Sequence, residues 1–531
     1  MTRNNFKSMR GVFVALALAL ATSMMAQGYT NPVIPGYYPD PSVCRVGEDF
    51  YLVNSSFQYF PGVPIFHSRD LIHWEQIGNV LDRESQLPLK GASSWTGIYA
   101  PTIRYHEGTF YMITTNVGSG GNFFVTATDP RGPWSEPIWL KQGGIDPSLY
   151  FEDGRCYMVS NPNDGIWLCE IDPKTGEQLN ESQMLWQGDG GRYPEAPHIY
   201  HKDGYYYLLI AEGGTEFGHK LTIARSKNIY GPYESNPDNP ILYHQRRITQ
   251  SSQIQGTGHG DFVQAADGSW WVVFLAFRTY GGNYHHLGRE TFLAPMQWEE
   301  GGWPVVNGNG TVDLKMNVKT LPQHDVQPPT EKYDFGKKQP LGPEWVYLQN
   351  PVMSRYQLTE KGLRLQVSES SLLQNDRPTF VGHRQQYDTI TISTEVDASA
   401  LKPGAEAGLA VYQIHDGCYR FYVTRDKEGT HVWLAFQVKN LTGNREVFMT
   451  KDSSVKLVIS SDGIDYRFAC SAAGQQAGNL VDAGALSCPM LSSEVAGGFT
   501  GVVIGMYATG KADGGYADFK YYNIDSRAKM Y

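Results

Sequence analysis

The chain has 531 residues, 41% of them hydrophobic and 13% aromatic, with 57 glycines and 30 prolines. That length exceeds what one hydrophobic core usually serves, so two domains are expected, and an aromatic, turn-rich composition without long amphipathic helical periods points to an all-β chain. A formal net charge of −10 argues against a nucleic-acid or anionic-membrane partner, since both reward basic patches, and favours a neutral substrate.

Residues 1–26 carry Arg3, Lys7 and Arg10, then the apolar run from Gly11 to Ala21, then small and polar residues up to Ala26. This is the pattern of a secretory signal peptide. Its apolar core is too short to span a bilayer as a stable helix, and no cysteine follows it to take a lipid. Export to the periplasm or the medium, without membrane insertion, is the expectation. Six cysteines (Cys44, Cys156, Cys169, Cys418, Cys470, Cys488) lack metal-site spacing and are sparse for this length. Isolated buried thiols and bridged pairs both stay open, Cys156 with Cys169 and Cys470 with Cys488 being the pairs spaced for bridging.

From residue 27 onward one phrase recurs. Asp40-Pro41-Ser42 runs to Tyr51, Ala100-Pro101-Thr102 to Tyr111, Asp146-Pro147-Ser148 to Tyr157, Ala196-Pro197-His198 to Tyr207, and Gly260-Asp261-Phe262 to Trp271. Each copy reads as a short apolar strand, a turn such as Asp153-Gly154 or Asp203-Gly204, and an aromatic strand. Successive copies begin 60, 46, 50 and 64 residues apart, a period close to that of four-stranded propeller blades. A five-bladed β-propeller is therefore expected over residues 27–314. Residues 315–331, with Pro322, Pro328 and Pro329, read as a linker. Residues 332–531 hold nine short runs of alternating apolar and polar residues, the signature of two packed antiparallel sheets, a β-sandwich.

The innermost strands of a propeller converge on one axis, so the starts of the repeated hairpins face a common pocket. Asp40, Asp146 and Glu195 lie at these starts, with His259 at the fifth; Glu195 and His259 each precede the aligned repeat position by one residue. Glu195 lies between Pro194 and Pro197, where the chain is biased to be extended. Three carboxylates in one pocket repel one another, which folding tolerates when a ligand, a cation or a catalytic task compensates. Glycoside hydrolysis needs two opposed carboxyl groups on a neutral substrate, one protonated toward the leaving oxygen and one ionised. Phe57, Tyr59, Phe60, Trp95 and Tyr99 are candidates for packing against sugar faces, although for any one of them core or rim packing is the plainer reading. A glycan-binding propeller without catalysis is the alternative of another class, but it has no need of three converging carboxylates.

Asn31-Pro32-Val33, Tyr38-Pro39-Asp40-Pro41-Ser42, Phe60-Pro61-Gly62-Val63, Ile145-Asp146-Pro147-Ser148, Glu195-Ala196-Pro197, Ala211-Glu212-Gly213-Gly214-Thr215, Gly258-His259-Gly260-Asp261 and Leu287-Gly288-Arg289-Glu290-Thr291 resemble glycoside hydrolase family 43. The resemblance covers nearly the whole mature chain. The second domain resembles the concanavalin-like jelly roll that accompanies the β-xylosidase-type members. What the resemblance implies is an inverting hydrolase with Asp40 as general base, Glu195 as general acid, Asp146 orienting Glu195 and raising its pKa, and Arg289 holding sugar hydroxyls, with Phe57, Trp95, Tyr99 and His259 as further substrate contacts. Some members place a calcium with mostly water ligands near the residue equivalent to His259. A lone histidine is a poor ligand for a hard cation, so no cofactor is required and calcium is an optional structural ion. The implied substrates are xylan- or arabinoxylan-derived oligosaccharides. β-Xylosidase leads, with α-L-arabinofuranosidase or both activities as the alternative, because Tyr99 stands before Ala100-Pro101 where many β-xylosidases of this resemblance carry tryptophan.

Overall fold

The computed structural model of the chain describes residues 28–526 apart from 163, 245–252 and 475–479. The expected signal peptide lies outside the described residues. Among these, no helix is long and apolar enough to cross a membrane.

Five antiparallel sheets follow one another along the first part of the chain, with innermost strands Ser42–Val46, Thr102–His106, Ile145–Glu152, Glu195–Lys202 and Ile254–Gln264. Each hairpin forms where the repeated phrase places it. In blades 2, 3 and 4 the two-residue turns Glu107-Gly108, Asp153-Gly154 and Asp203-Gly204 hold both residues at positive φ (46° and 83°, 50° and 75°, 52° and 75°). That is the turn whose twist matches a right-handed hairpin and which glycine accommodates. Interleaved aliphatic and aromatic side chains fill the spaces between blades, as where Leu52, Leu209, Phe262 and Phe274 share one buried cluster.

The ring is closed by the N-terminal segment. Tyr29–Thr30 pairs with Lys315–Met316, at the start of the stretch expected to be a linker, and the Tyr29 hydroxyl and the Asn31 amide donate to the Leu293 carbonyl at 2.7 and 3.0 Å. The chain then enters a sandwich of two eight-stranded sheets. Strand Thr389–Asp397 shows why: its residues alternate between buried and partly exposed, so one face builds the core with Val455, Leu457 and Phe519. One edge strand of the sandwich comes from the propeller. Tyr59–Phe60 pairs antiparallel with Val346–Leu348 and so covers the edge that this strand would otherwise leave open. The six cysteines are all buried and free.

Candidate active site

The backbone enters the left-handed region at Asp40 (φ 54°), Asp146 (φ 52°) and Ala196 (φ 53°), at the starts of three innermost strands, and at His259 (φ 42°), midway along Ile254–Gln264. Such a conformation costs a non-glycine residue on the order of 1 kcal/mol and persists where the surroundings over-determine it. Each of the last three sits in a bulge. Ile145 pairs with Asn161 and the next paired residue, Ser148, with Val159; likewise Glu195 pairs with Ala211 and His198 with Leu209. A bulge re-aims side chains and ends regular pairing. In blade 3 the bulged residue itself carries the carboxylate, and in blade 4 the residue before it does, which is why Glu195 precedes its repeat position by one.

Asp40, Asp146 and His259 converge as the repeat arithmetic requires. His259 Nδ1 lies 3.6 Å from Asp40 Oδ1 and 3.9 Å from Asp146 Oδ2. Arg289 Nη1 donates to Asp40 Oδ1 at 3.1 Å, and the Ser55 hydroxyl donates to Oδ2. The Ala196 backbone N–H donates to Asp146, tying blade 4 to blade 3 beside Glu195. These contacts separate the three acids electrostatically. Burial would raise Asp40, but the Arg289 and His259 charges and the Ser55 bond outweigh it and hold the carboxyl below the usual range. Burial, then the Asp40 charge, push Glu195 up to about 7 against the pull of Arg289. Asp146 is driven well above its ordinary value by burial, then by Glu195 and Asp40. Near neutral pH the pocket thus offers one ionised carboxylate and a pair of acids that retain a proton, the division of labour that acid–base catalysis needs.

Arg289 is the corner of an aromatic wall. Its Nη1 also donates to Thr215 Oγ1 at 2.6 Å, its Nη2 donates to the Phe499 carbonyl at 3.1 Å, and its guanidinium carbon lies 5.6 Å from the ring centres of both Phe57 and Phe499. Phe57 is buried against Tyr99 (5.1 Å between ring centres), while Trp95 is 45% exposed and packs nearly perpendicular to Phe499, 4.9 Å between ring centres. The Tyr99 hydroxyl donates to the Trp95 carbonyl at 2.5 Å. The structure therefore brings together Phe57, Trp95, Tyr99 and Arg289, and adds Phe499 from the sandwich.

Residues 29–304 match the family model for glycosyl hydrolases family 43, and residues 332–525 that for the beta xylosidase C-terminal concanavalin A-like domain. The chain belongs to glycoside hydrolase family 43. It is 41% identical to the non-reducing end alpha-L-arabinofuranosidase BoGH43B of Bacteroides ovatus, over 97% of this chain and 98% of that one. It is 39% identical to a xylosidase/arabinosidase of Butyrivibrio fibrisolvens, over 93% and 99% of the two chains. Among solved structures, the GH43B protein of the Bacteroides ovatus xyloglucan PUL superposes with a TM-score of 0.88 at 41% identity, covering 94% of this chain and 100% of that chain. The xylan beta-1,4-xylosidase from Bacillus halodurans C-125 superposes with a TM-score of 0.88 at 32% identity, over 94% and 100%.

Two groups in this family-43 site carry roles that the sequence did not assign: Glu212, which stood there only within the motif Ala211-Glu212-Gly213-Gly214-Thr215, and Phe499. Glu212, completely buried, accepts hydrogen bonds from the backbone N–H groups of Asp189 (3.0 Å) and Gly191 (2.9 Å) and from Thr222 Oγ1 (2.6 Å). It thereby anchors the loop that delivers Glu195; a Cβ on Gly188 would lie 2.5 Å from its carboxylate oxygen. Phe499 was hidden by its distance along the chain. Its only local sign is the glycine-flanked run Gly497-Gly498-Phe499-Thr500-Gly501: a Cβ on Gly498 would meet Ser94 at 2.7 Å and one on Gly501 the Leu287 carbonyl at 2.2 Å.

Calcium near His259 would need hard oxygen ligands. Nearby, both oxygens of Asp261 are committed to Arg104, Tyr200, Ser42 and the Val43 N–H, and among the described residues no three His, Cys, Asp or Glu side chains are grouped to hold an ion. Asp261 therefore has no uncommitted oxygen to offer a calcium ion beside His259.

Proposed function

We propose that this glycoside hydrolase is an exported, exo-acting, inverting pentosidase that removes terminal arabinofuranose or xylose from arabinoxylan- or xylan-derived oligosaccharides. The observation that carries the reading is the opposed protonation of two carboxyl groups in one pocket, Asp40 held low by Arg289 and Glu195 raised to about 7. Asp40 acts as general base on a water, and Glu195 as general acid toward the glycosidic oxygen. Asp146 is the third acid, bonded to the Ala196 N–H next to Glu195, and its negative charge, when present, opposes ionisation of Glu195. Arg289 keeps Asp40 ionised and, with Phe57 and Phe499, bounds the space for one sugar ring. Closure of that wall by the sandwich favours exo over endo cleavage.

Two features support arabinofuranose ahead of xylose, reversing the order expected from the sequence. The relative at 41% identity is named an arabinofuranosidase and that at 39% a xylosidase/arabinosidase, and Tyr99 stands at the wall position before Ala100-Pro101. β-Xylosidase remains the second reading, supported by the match of residues 332–525 to the beta xylosidase C-terminal domain. Export rests on the N-terminal sequence pattern. Product analysis on arabinoxylan side chains and on xylobiose separates the two sugars. Proton NMR of the first-formed sugar tests the mechanism: inversion at the anomeric carbon is expected, and release of the retained anomer overturns the role of Asp40 as base.

A further inference from the structure

Beneath the three carboxylates a second ionic cluster closes the propeller axis. Asp261 of blade 5 binds Arg104 of blade 2 through two parallel contacts, Nη1 to Oδ2 at 2.8 Å and Nη2 to Oδ1 at 3.1 Å. Ser42 Oγ of blade 1 donates to Oδ2 at 2.7 Å, and Tyr200 Oη of blade 4 donates to Oδ1 at 2.6 Å. Arg104 Nη2 also donates to His198 Nδ1, again of blade 4, at 2.8 Å. Side chains from four blades can meet only at the axis, so Arg104 stands on the axis of the propeller.

We propose that Arg104 is this protein's own axial cation, a positioning residue that replaces a bound divalent ion and sets the electrostatics of the pocket through Asp261, His198 and His259. Without it, Asp261 would place a buried carboxylate with no cationic partner below Asp40, Asp146 and Glu195. A buried carboxylate that loses its partner is strongly destabilising, whereas a two-pronged guanidinium meets both of its oxygens. Arg104 also fixes the state of His198. A ring nitrogen that accepts from a guanidinium carries no proton, and burial, with the Arg104 charge countering Asp261, pushes His198 down to about 3. His259 is then left facing Asp40 and Asp146 above a neutral imidazole. The guanidinium cannot deprotonate at any pH the fold survives, so the axial charge is constant where an ion's occupancy would vary.

The test uses the full-length protein and two variants, Arg104→Met and Arg104→Lys. Calorimetry without substrate is run with EDTA and with calcium chloride, which keeps this inference separable from the catalytic assignment on which its kinetic arm rests. The wild type is expected to melt at the same temperature in both, and to bind no calcium by titration calorimetry. Arg104→Met removes the cation that both Asp261 oxygens face while their Ser42, Val43 and Tyr200 donors remain, so its melting temperature is expected to rise with calcium. Its kcat falls about 10- to 100-fold, as for groups that act through a catalytic side chain, and its pH–rate profile gains a titration from His198. Arg104→Lys, which keeps the charge but not the fork, lies between. An EDTA-treated wild type that loses stability or activity and regains it with calcium overturns the proposal, whether or not a variant folds. A folded Arg104→Met with wild-type kcat, pH profile and calcium indifference overturns it equally.

Discussion

Replacing Glu195 by glutamine removes a proton donor and also a source of instability, and the two effects have opposite signs. The rise of this carboxyl from 4.5 to about 7 corresponds to about 3 kcal/mol. Because the folded value lies above the unfolded one, the folded state binds the proton more tightly. The stabilisation is therefore fully present below about pH 4.5 and lost as pH rises through about 7. A glutamine stays neutral throughout. At pH 8 Glu195→Gln is expected to be more stable than wild type by about 3 kcal/mol, reduced by whatever charge Asp146 and Glu195 share, and at pH 4 the two should melt together. Activity goes the other way. Loss of a general acid costs about 10²- to 10⁴-fold on natural glycosides but little on aryl glycosides whose leaving group needs no proton, and the fall in kcat/KM above about pH 7 should vanish on the aryl substrate. Calorimetry at the two pH values and paired substrate kinetics supply the data. Equal losses on both substrates, or no stability gain at pH 8, would refute the placement of a raised, proton-donating carboxyl at Glu195.

Phe499→Ala opens the wall between Trp95, Phe57 and Arg289; kcat/KM should fall about 10- to 100-fold, in line with about 1–3 kcal/mol for a deleted apolar contact, while the melting temperature changes little. Glu212→Gln leaves the Asp189 and Gly191 amides with a weaker acceptor, so stability should drop by about 1–3 kcal/mol and kcat should fall more than KM rises, seen by denaturant melts and steady-state kinetics. Cutting the chain at Pro328 strips Tyr59–Phe60 of its strand partner Val346–Leu348 and removes Phe499; a poorly soluble or inactive propeller is expected, and a truncated chain with full activity and unchanged melting would show that the sandwich does not complete the site.

The sequence by itself determined the repeat, and the repeat determined much of the rest. A hairpin phrase recurring at blade length leaves a propeller as its economical fold, and the first residues of each phrase must then face one axis, so Asp40, Asp146 and His259 could be placed together without coordinates. That reasoning works because strand geometry is local: a two-residue turn at Asp153-Gly154 or Asp203-Gly204 and alternation along a strand are set by neighbours in the chain. Only the tertiary structure decided what lies far apart in sequence. Phe499 enters the pocket because the Gly498 and Gly501 backbones can press against Ser94 and Leu287, a closeness invisible to periodicity. Arg104 meets Asp261 because the closed ring points blades 2 and 5 at one axis, and Tyr59–Phe60 crosses into the sandwich because an unpaired sheet edge was there to receive it. Protonation was likewise a tertiary matter: Asp40 and Asp146 open nearly identical phrases, yet Arg289 and Ser55 lie against the one, while burial beside Glu195 raises the other.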